Sequence, residues 1–127
     1  MPRHILVADD EKAVREMLRD VLCSEGYEVD TAVDGLNALD AVAKKKYDLL
    51  LLDVGMPGMD GYHVAEKVSS SQGYRAKIII LTGRDIAMDS SQAILSGADA
   101  FLEKACGIEM LLKTVESMIG SAETPAP

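Results

Sequence analysis

Three aspartates and a lysine carry the chemistry in this sequence. Asp53 closes the apolar run Leu49-Leu50-Leu51-Leu52, and Asp9-Asp10 closes a second run, Ile5-Leu6-Val7-Ala8. Unbroken apolar runs of this length suit strands buried on both faces of a parallel sheet. Parallel strands of one doubly wound sheet end on the same edge, so the three carboxylates are expected to meet there. Such a cluster repels itself and stays ionised around a cation, for which Mg²⁺ is the natural choice. One carboxylate is then able to accept a phosphoryl group. Two more runs end on useful side chains: Ile78-Ile79-Ile80-Leu81 on Thr82, and Ala100-Phe101-Leu102-Glu103 on Lys104. Moving a phosphoryl group onto a carboxylate needs a metal to screen oxygens, a nucleophile, and donors for the remaining oxygens. Asp9 and Asp10 suit the metal, Asp53 the nucleophile, Thr82 a hydroxyl donor, and Lys104 a fixed positive charge.

The elements that position these residues alternate. Strands are expected at Ile5–Asp9, Glu28–Ala32, Asp48–Asp53, Lys77–Thr82 and Ala100–Lys104. The first helix is expected over 12–24, with Val14, Met17, Leu18, Val21 and Leu22 inward and Gly26 as its stop. The second is expected over 36–45, with Leu36, Leu39 and Ala43 inward. The third, over 62–70, turns Val64, Ala65 and Val68 inward and His63 out. A fourth is expected over 86–96, and a fifth over 108–119, with Ile108, Leu111, Leu112, Val115 and Ile119 along one face. Alternating strands and helices with right-handed crossovers give a doubly wound α/β sheet. Strand two alternates in polarity (Glu28-Val29-Asp30-Thr31-Ala32), which suits an edge. The order 2-1-3-4-5 follows, with a ligand-binding switch point between strands one and three. Asp9, Asp10 and Asp53 belong there.

At this point the chain resembles the receiver domain of bacterial two-component response regulators, of the chemotaxis-regulator type. The resemblance runs from about Arg3 to Ile119. It rests on Val7-Ala8-Asp9-Asp10-Glu11, on Leu52-Asp53-Val54-Gly55-Met56-Pro57-Gly58-Met59-Asp60-Gly61, on Leu81-Thr82-Gly83, and on Gly97-Ala98-Asp99-Ala100-Phe101-Leu102-Glu103-Lys104. It implies a flavodoxin-like, three-layer α/β/α fold. It also implies that Asp53 takes a phosphoryl group from the phosphohistidine of a sensor histidine kinase or phosphotransfer protein, with Mg²⁺ required. The backbone carbonyl of Gly55 joins the metal ligands, and Thr82 and Phe101 form a switch pair. Gly55 and Arg84 tune the lifetime of the phosphoryl group. The readout falls on the face of the fourth helix, fifth strand and fifth helix, toward a downstream protein or a second copy of the chain. Such a protein is not a turnover enzyme, since it catalyses only its own phosphorylation and dephosphorylation. Where the family has Pro after the lysine, this chain has Ala105; a cis bond there costs about 3–4 kcal/mol without proline, so a trans bond is expected.

Length and composition are consistent with this. The 127 residues suit one domain, expected over 1–120, with 121–127 a disordered tail or the start of a linker. A formal net charge of −8 disfavours direct binding to nucleic acid or anionic membrane. No leader and no apolar run near about 18 residues is present, so a cytoplasmic protein is expected. Cys23 and Cys106 lack CxxC spacing and are expected as reduced thiols.

Each feature has a plainer reading. Asp9-Asp10 alone suits a helix start, Lys104 alone a solvated lysine, Phe101 a core aromatic, and Lys44-Lys45-Lys46 the solvated end of the second helix. His4 and His63 invite a metal or phosphohistidine reading, but His63 falls opposite the apolar stripe of its helix and is expected to be exposed and inert. Two other functions were weighed against the phosphoacceptor switch. One is a pseudo-receiver that binds proteins and is never phosphorylated. The other is an aspartate-nucleophile phosphohydrolase, which would want a second carboxylate two residues past Asp53, where this chain has Gly55.

Overall fold

The computed structural model describes residues 3–71, 73–74, 76–83 and 96–120. The helix expected over 86–96 lies outside them except for its last residue, Ser96; so do Arg84 and the tail over 121–127. Five parallel strands run β1 (His4–Ala8), β2 (Glu28–Ala32), β3 (Leu49–Asp53), β4 (Lys77–Thr82) and β5 (Ala100–Glu103), in the order β2-β1-β3-β4-β5. Four described helices accompany them: α1 (Lys12–Ser24), α2 (Gly35–Lys44), α3 (Gly61–Ser69) and α4 (Ile108–Ile119), with a 3₁₀ turn at Lys104–Cys106.

Period-two alternation sorts the sheet into two cores. Leu6, Ala8, Leu50, Leu52, Ile78 and Ile80 face α2 and α3. Ile5, Val7, Leu49, Leu51, Ile79 and Leu81 face α1 and α4. Leu49 to Leu52 are all fully buried, as a central strand between two helical layers requires; each such side chain contributes about 2–3 kcal/mol by leaving water. The edge strand β2 keeps Glu28, Asp30 and Thr31 exposed.

Polar side chains fix the ends of these elements. The backbone N–H of His4 donates to Asp48 Oδ2 at 2.8 Å, and that of Ile78 donates to Asp99 Oδ2 at 2.8 Å. Asp34 caps α2 by accepting from the Asn37 N–H, and Asp60 caps α3 by accepting from the His63 N–H. Gly26 stops α1 with φ at 95°, a conformation that costs glycine nothing.

Three inward faces differ from expectation. Leu36 is 66% exposed and Ala43 is exposed, while Gly35 and Ala38 are the buried residues of α2. The Asp34 cap starts this helix one residue early, and Gly35 lies so close to the Met59 carbonyl that an added Cβ would sit 2.4 Å from its oxygen. That approach fixes the rotation of the helix. Met17 on α1 and Ile108 on α4 are also exposed, at 44% and 49%, along a groove between the two helices. The α3 face is as expected, with Val64, Ala65 and Val68 buried and His63 exposed.

Candidate functional site

The site stands on the C-terminal edge of the sheet, where the ladder runs one residue past the strands. The Asp9 N–H donates to the Ala32 carbonyl at 3.2 Å, and the Val54 N–H to the Leu81 carbonyl at 3.0 Å. Asp9 and Asp53 are thereby held as rigidly as strand residues. Both are buried, at 0% and 3% exposure, whereas Asp10 is exposed at the mouth. The three carboxylates each offer an oxygen within 4.8 Å of the others.

Lys104 enters from the end of β5. Its ammonium lies 3.1 Å from Asp9 Oδ2 and 3.2 Å from Asp53 Oδ1, with Glu11 at 3.6 Å. Burial alone lowers the Lys104 pKa, but the carboxylates of Asp9 and Asp53 outweigh it and hold the ammonium above the usual lysine value of 10.5. A raised lysine pKa contributes stability that is complete below the usual lysine range and is lost as pH rises through the folded value. At neutral pH the lysine is a fixed cation. The Lys104–Ala105 bond is trans, since no described peptide bond is cis, and the chain then passes through the 3₁₀ turn into α4.

The site also has structure that its spacing does not reveal. Asp9 Oδ1 accepts from the Glu11 N–H at 2.9 Å, and the Arg15 guanidinium donates to the Asp9 carbonyl at 2.9 Å. Glu11 stood inside a quoted motif without a role. Arg15 carried no signal, because its reach back from the second turn of α1 depends on how the chain turns at Asp10. Gly61 is a second such residue: an added Cβ would lie 2.6 Å from the Asp53 backbone oxygen. The loop after Asp53 folds back this tightly because position 61 has no side chain. The Gly55 N–H donates to Asp53 Oδ1 at 3.2 Å. A Cβ on Gly55 would stand 3.8 Å from Asp53 Oδ2, in ordinary contact and against no other described residue.

Thr82 is 2% exposed at the end of β4. Its neighbour two residues back, Ile80, pairs with Phe101, so Thr82 and Phe101 share a face of the sheet on adjacent strands. Phe101 is half-buried against the α2–α3 core. Arg84, expected to tune the site, lies outside the described residues.

The donor set fits a small hard cation. Asp9 Oδ2 is buried, and the Lys104 ammonium at 3.1 Å is its charged neighbour among the described residues. One ammonium shared by two buried carboxylates leaves them under-compensated, which a divalent cation would correct. Carboxylate oxygens in a cluster, one of them exposed to water, match the few protein ligands and several waters that Mg²⁺ prefers.

Comparison with known proteins agrees with this geometry. A family model described as response regulator receiver domain matches residues 5–116. The response regulator MprA of Mycobacterium sp. (strain KMS) is 40% identical over 119 residues, 94% of this chain and 51% of that protein. The chain thus spans about half the length of the curated relatives it matches. Among solved structures, chemotaxis protein CheY4 of Vibrio cholerae superposes with a TM-score of 0.87 at 32% identity, covering 93% of this chain and 99% of the other. Response regulator TrrA of Thermotoga maritima, in complex with Mg²⁺ and BeF, has a TM-score of 0.83 at 36% identity, covering 91% and 98%. Sequence and fold match over nearly the whole chain, and it belongs to the family of response regulator receiver domains of two-component systems.

Proposed function

We propose that the chain is a phosphorylation-driven switch in which Asp53 accepts a phosphoryl group from the phosphohistidine of a sensor histidine kinase or phosphotransfer protein. The observation that carries this reading is the Lys104 ammonium placed between two buried carboxylates at the C-terminal edge of the sheet. An oxygen of the ionised Asp53 attacks phosphorus; the new O–P bond forms as the N–P bond to the donor histidine breaks, and that imidazole leaves with the bond's electron pair. Asp9, Asp10, Asp53 and the Gly55 carbonyl would hold Mg²⁺, which would supply charge screening of the phosphoryl oxygens. Lys104 moves its pairing from Asp53 to a phosphoryl oxygen. Its charge is present before and after transfer, so little reorganisation is needed. Thr82 donates its hydroxyl to another oxygen. Gly55 leaves the approach open and offers no acid or base, which separates this site from a phosphohydrolase. Loss of the group is hydrolysis of the acylphosphate by water, so the chain is a phosphoacceptor rather than a turnover enzyme.

The proposed readout follows from the shared face of Thr82 and Phe101. When the Thr82 side chain moves toward the phosphoryl group, space opens beside β5 and the Phe101 ring turns inward. The phenyl ring has no hydroxyl, so this change rests on packing alone. It alters the surface of β5 and α4, where Met110, Lys113 and Ser117 are exposed, toward a protein target or a second copy. Phosphorylation shifts that balance only by its differential affinity for the two states. No described helix is long and apolar enough to cross a membrane, in keeping with a cytoplasmic site of action.

The test is intact-mass spectrometry after incubation with acetyl phosphate and Mg²⁺. One added phosphoryl mass is expected, and none for Asp53→Asn. Labelling that persists in the variant overturns the acceptor; an unmodified native chain marks a pseudo-receiver.

A further inference from the structure

The opposite edge of the sheet carries a cluster of basic residues. Lys44, Lys45 and Lys46 leave the end of α2, and the fold brings Lys67 of α3 beside them along one groove. Lys77 at the start of β4 and Arg3 ahead of β1 line an adjoining groove that shares Lys46 and Tyr74 with the first. These are six of the 13 basic residues of a chain whose net charge is −8. Lys45 is paired with Asp30 and Arg3 with Asp48. Lys44, Lys46, Lys67 and Lys77 are exposed and make no ion pair among the described residues. The first groove encloses about 550 Å³, and its floor is apolar, formed by Leu39, Val42, Val68 and Tyr74. It lies between α2 and α3, a strand length of roughly 15 Å from Asp53.

We propose that this groove docks an acidic amphipathic helix of a partner protein, its apolar face on Leu39, Val42 and Tyr74 and its carboxylates on the lysine rim. A concave apolar floor with a rim of one charge is the form that receives such a helix, and the charge complementarity favours this partner over others. A duplex or single-stranded polyanion finds no exposed aromatic platform here and has no apolar face to set on the groove floor. A membrane would want apolar side chains that protrude, and the large exposed ones, Met17, Val33, Leu36, Ile108 and Met110, lie on none of the residues lining this groove. The surface is separate from the phosphoacceptor pocket and binds irrespective of what happens at Asp53.

The experiment measures fluorescence anisotropy of a labelled helical peptide with glutamates on one face and leucines on the other, added to the whole chain. Its glutamine counterpart, an oligothymidine and phosphatidylglycerol vesicles serve as competing probes. Binding of the glutamate peptide alone is expected, weakening steeply with salt. The double variant Lys46→Glu/Lys67→Glu should bind about tenfold or more weakly, as two reversed surface charges imply, with an unchanged melting temperature and unchanged acetyl phosphate labelling. In the native chain the amide resonances of Leu39, Val42 and Tyr74 should shift on titration. Equal binding by the double variant, resonance shifts confined to other faces, or preference for the oligonucleotide, the vesicles or the neutral peptide overturns the proposal. So does self-association of the chain that the same two charge reversals abolish.

Discussion

Removing the Lys104 ammonium leaves Asp9 and Asp53 facing each other, buried and without their common cation. Lys104→Met is therefore expected to lose about 2 kcal/mol in urea unfolding, toward the lower side for a broken buried pair because the lysine is one-quarter exposed. Millimolar Mg²⁺ should recover most of that loss, and should raise the melting temperature of the variant more than that of the native chain. A second residue-level test concerns Asp30, which accepts from the Tyr47 hydroxyl at 2.7 Å and from Lys45 at 3.0 Å. The tyrosine hydrogen bond, with lesser help from Lys45, holds the Asp30 carboxyl below its usual value of 3.8. A depressed carboxyl contributes stability that is present above its unfolded pKa and lost as pH falls through the folded one. Asp30 is nearly half exposed, so Tyr47→Phe should cost only about 0.5 kcal/mol at pH 7, and the difference from the native chain should shrink as pH falls below 3.8 through the lowered folded value, as followed by urea melts across pH. Residues at strand ends were legible in the sequence because a strand that ends on a charged residue announces where that residue points. Glu11 and Arg15 were not, since their contacts pass through the turn at Asp10 and no periodicity encodes a turn.

At the scale of the element, two glycines in one loop separate packing from chemistry. Gly61→Ala would place a methyl group 2.6 Å from the Asp53 backbone oxygen. Backbone cannot yield cheaply, so a loss of about 2–3 kcal/mol is expected in denaturant unfolding. Gly55→Ala meets only ordinary contacts with the Asp53 carboxylate and should stay within about 0.5 kcal/mol of the native chain, while changing the half-life of the acylphosphate as read by decay of labelled protein. The strands could be read almost to the residue, because continuous apolar runs such as Leu49–Leu52 allow one burial and one topology. Helix α2 could not. Leu36, Ala38, Leu39, Ala41, Val42 and Ala43 spread over more than half of its circumference, so the apolar stripe is broad and Leu36 and Ala43 fall at its margin rather than its centre. Contact of Gly35 with the Met59 backbone decides the rotation, and that contact joins two loops far apart in sequence.

Taken whole, the molecule gathers three carboxylates at one edge of the sheet and, at the other, lysines that make no ion pair among the described residues. Metal binding at the acidic edge would stabilise the folded chain by mass action, by about 2.7 kcal/mol at a hundredfold excess over the dissociation constant. Differential scanning fluorimetry should show a rise of several degrees with Mg²⁺, and little or none for Asp10→Asn/Asp53→Asn. The strand order was legible because an alternating edge strand and three continuous central runs admit few arrangements. The lysine groove was not, because Lys67 and Lys77 come to Lys44–Lys46 only through the folding of the sheet.

The order β2-β1-β3-β4-β5 also has a consequence in time. During synthesis the first fifty-odd residues complete β2, β1 and β3, so Asp9 and Asp53 are brought together early. β4 is then added to one edge and β5 to that edge again, and the ammonium that relieves the two carboxylates is delivered by the final strand. A nascent chain that has not yet exposed residue 104 to solvent holds a half-made sheet whose two acids have no internal counter-charge. Cellular magnesium is the counter-charge at hand, so the metal proposed for the finished site would serve the unfinished one as a scaffold. Arrested chains of increasing length, probed by limited proteolysis, should depend on Mg²⁺ for protection until Lys104 emerges and much less afterwards.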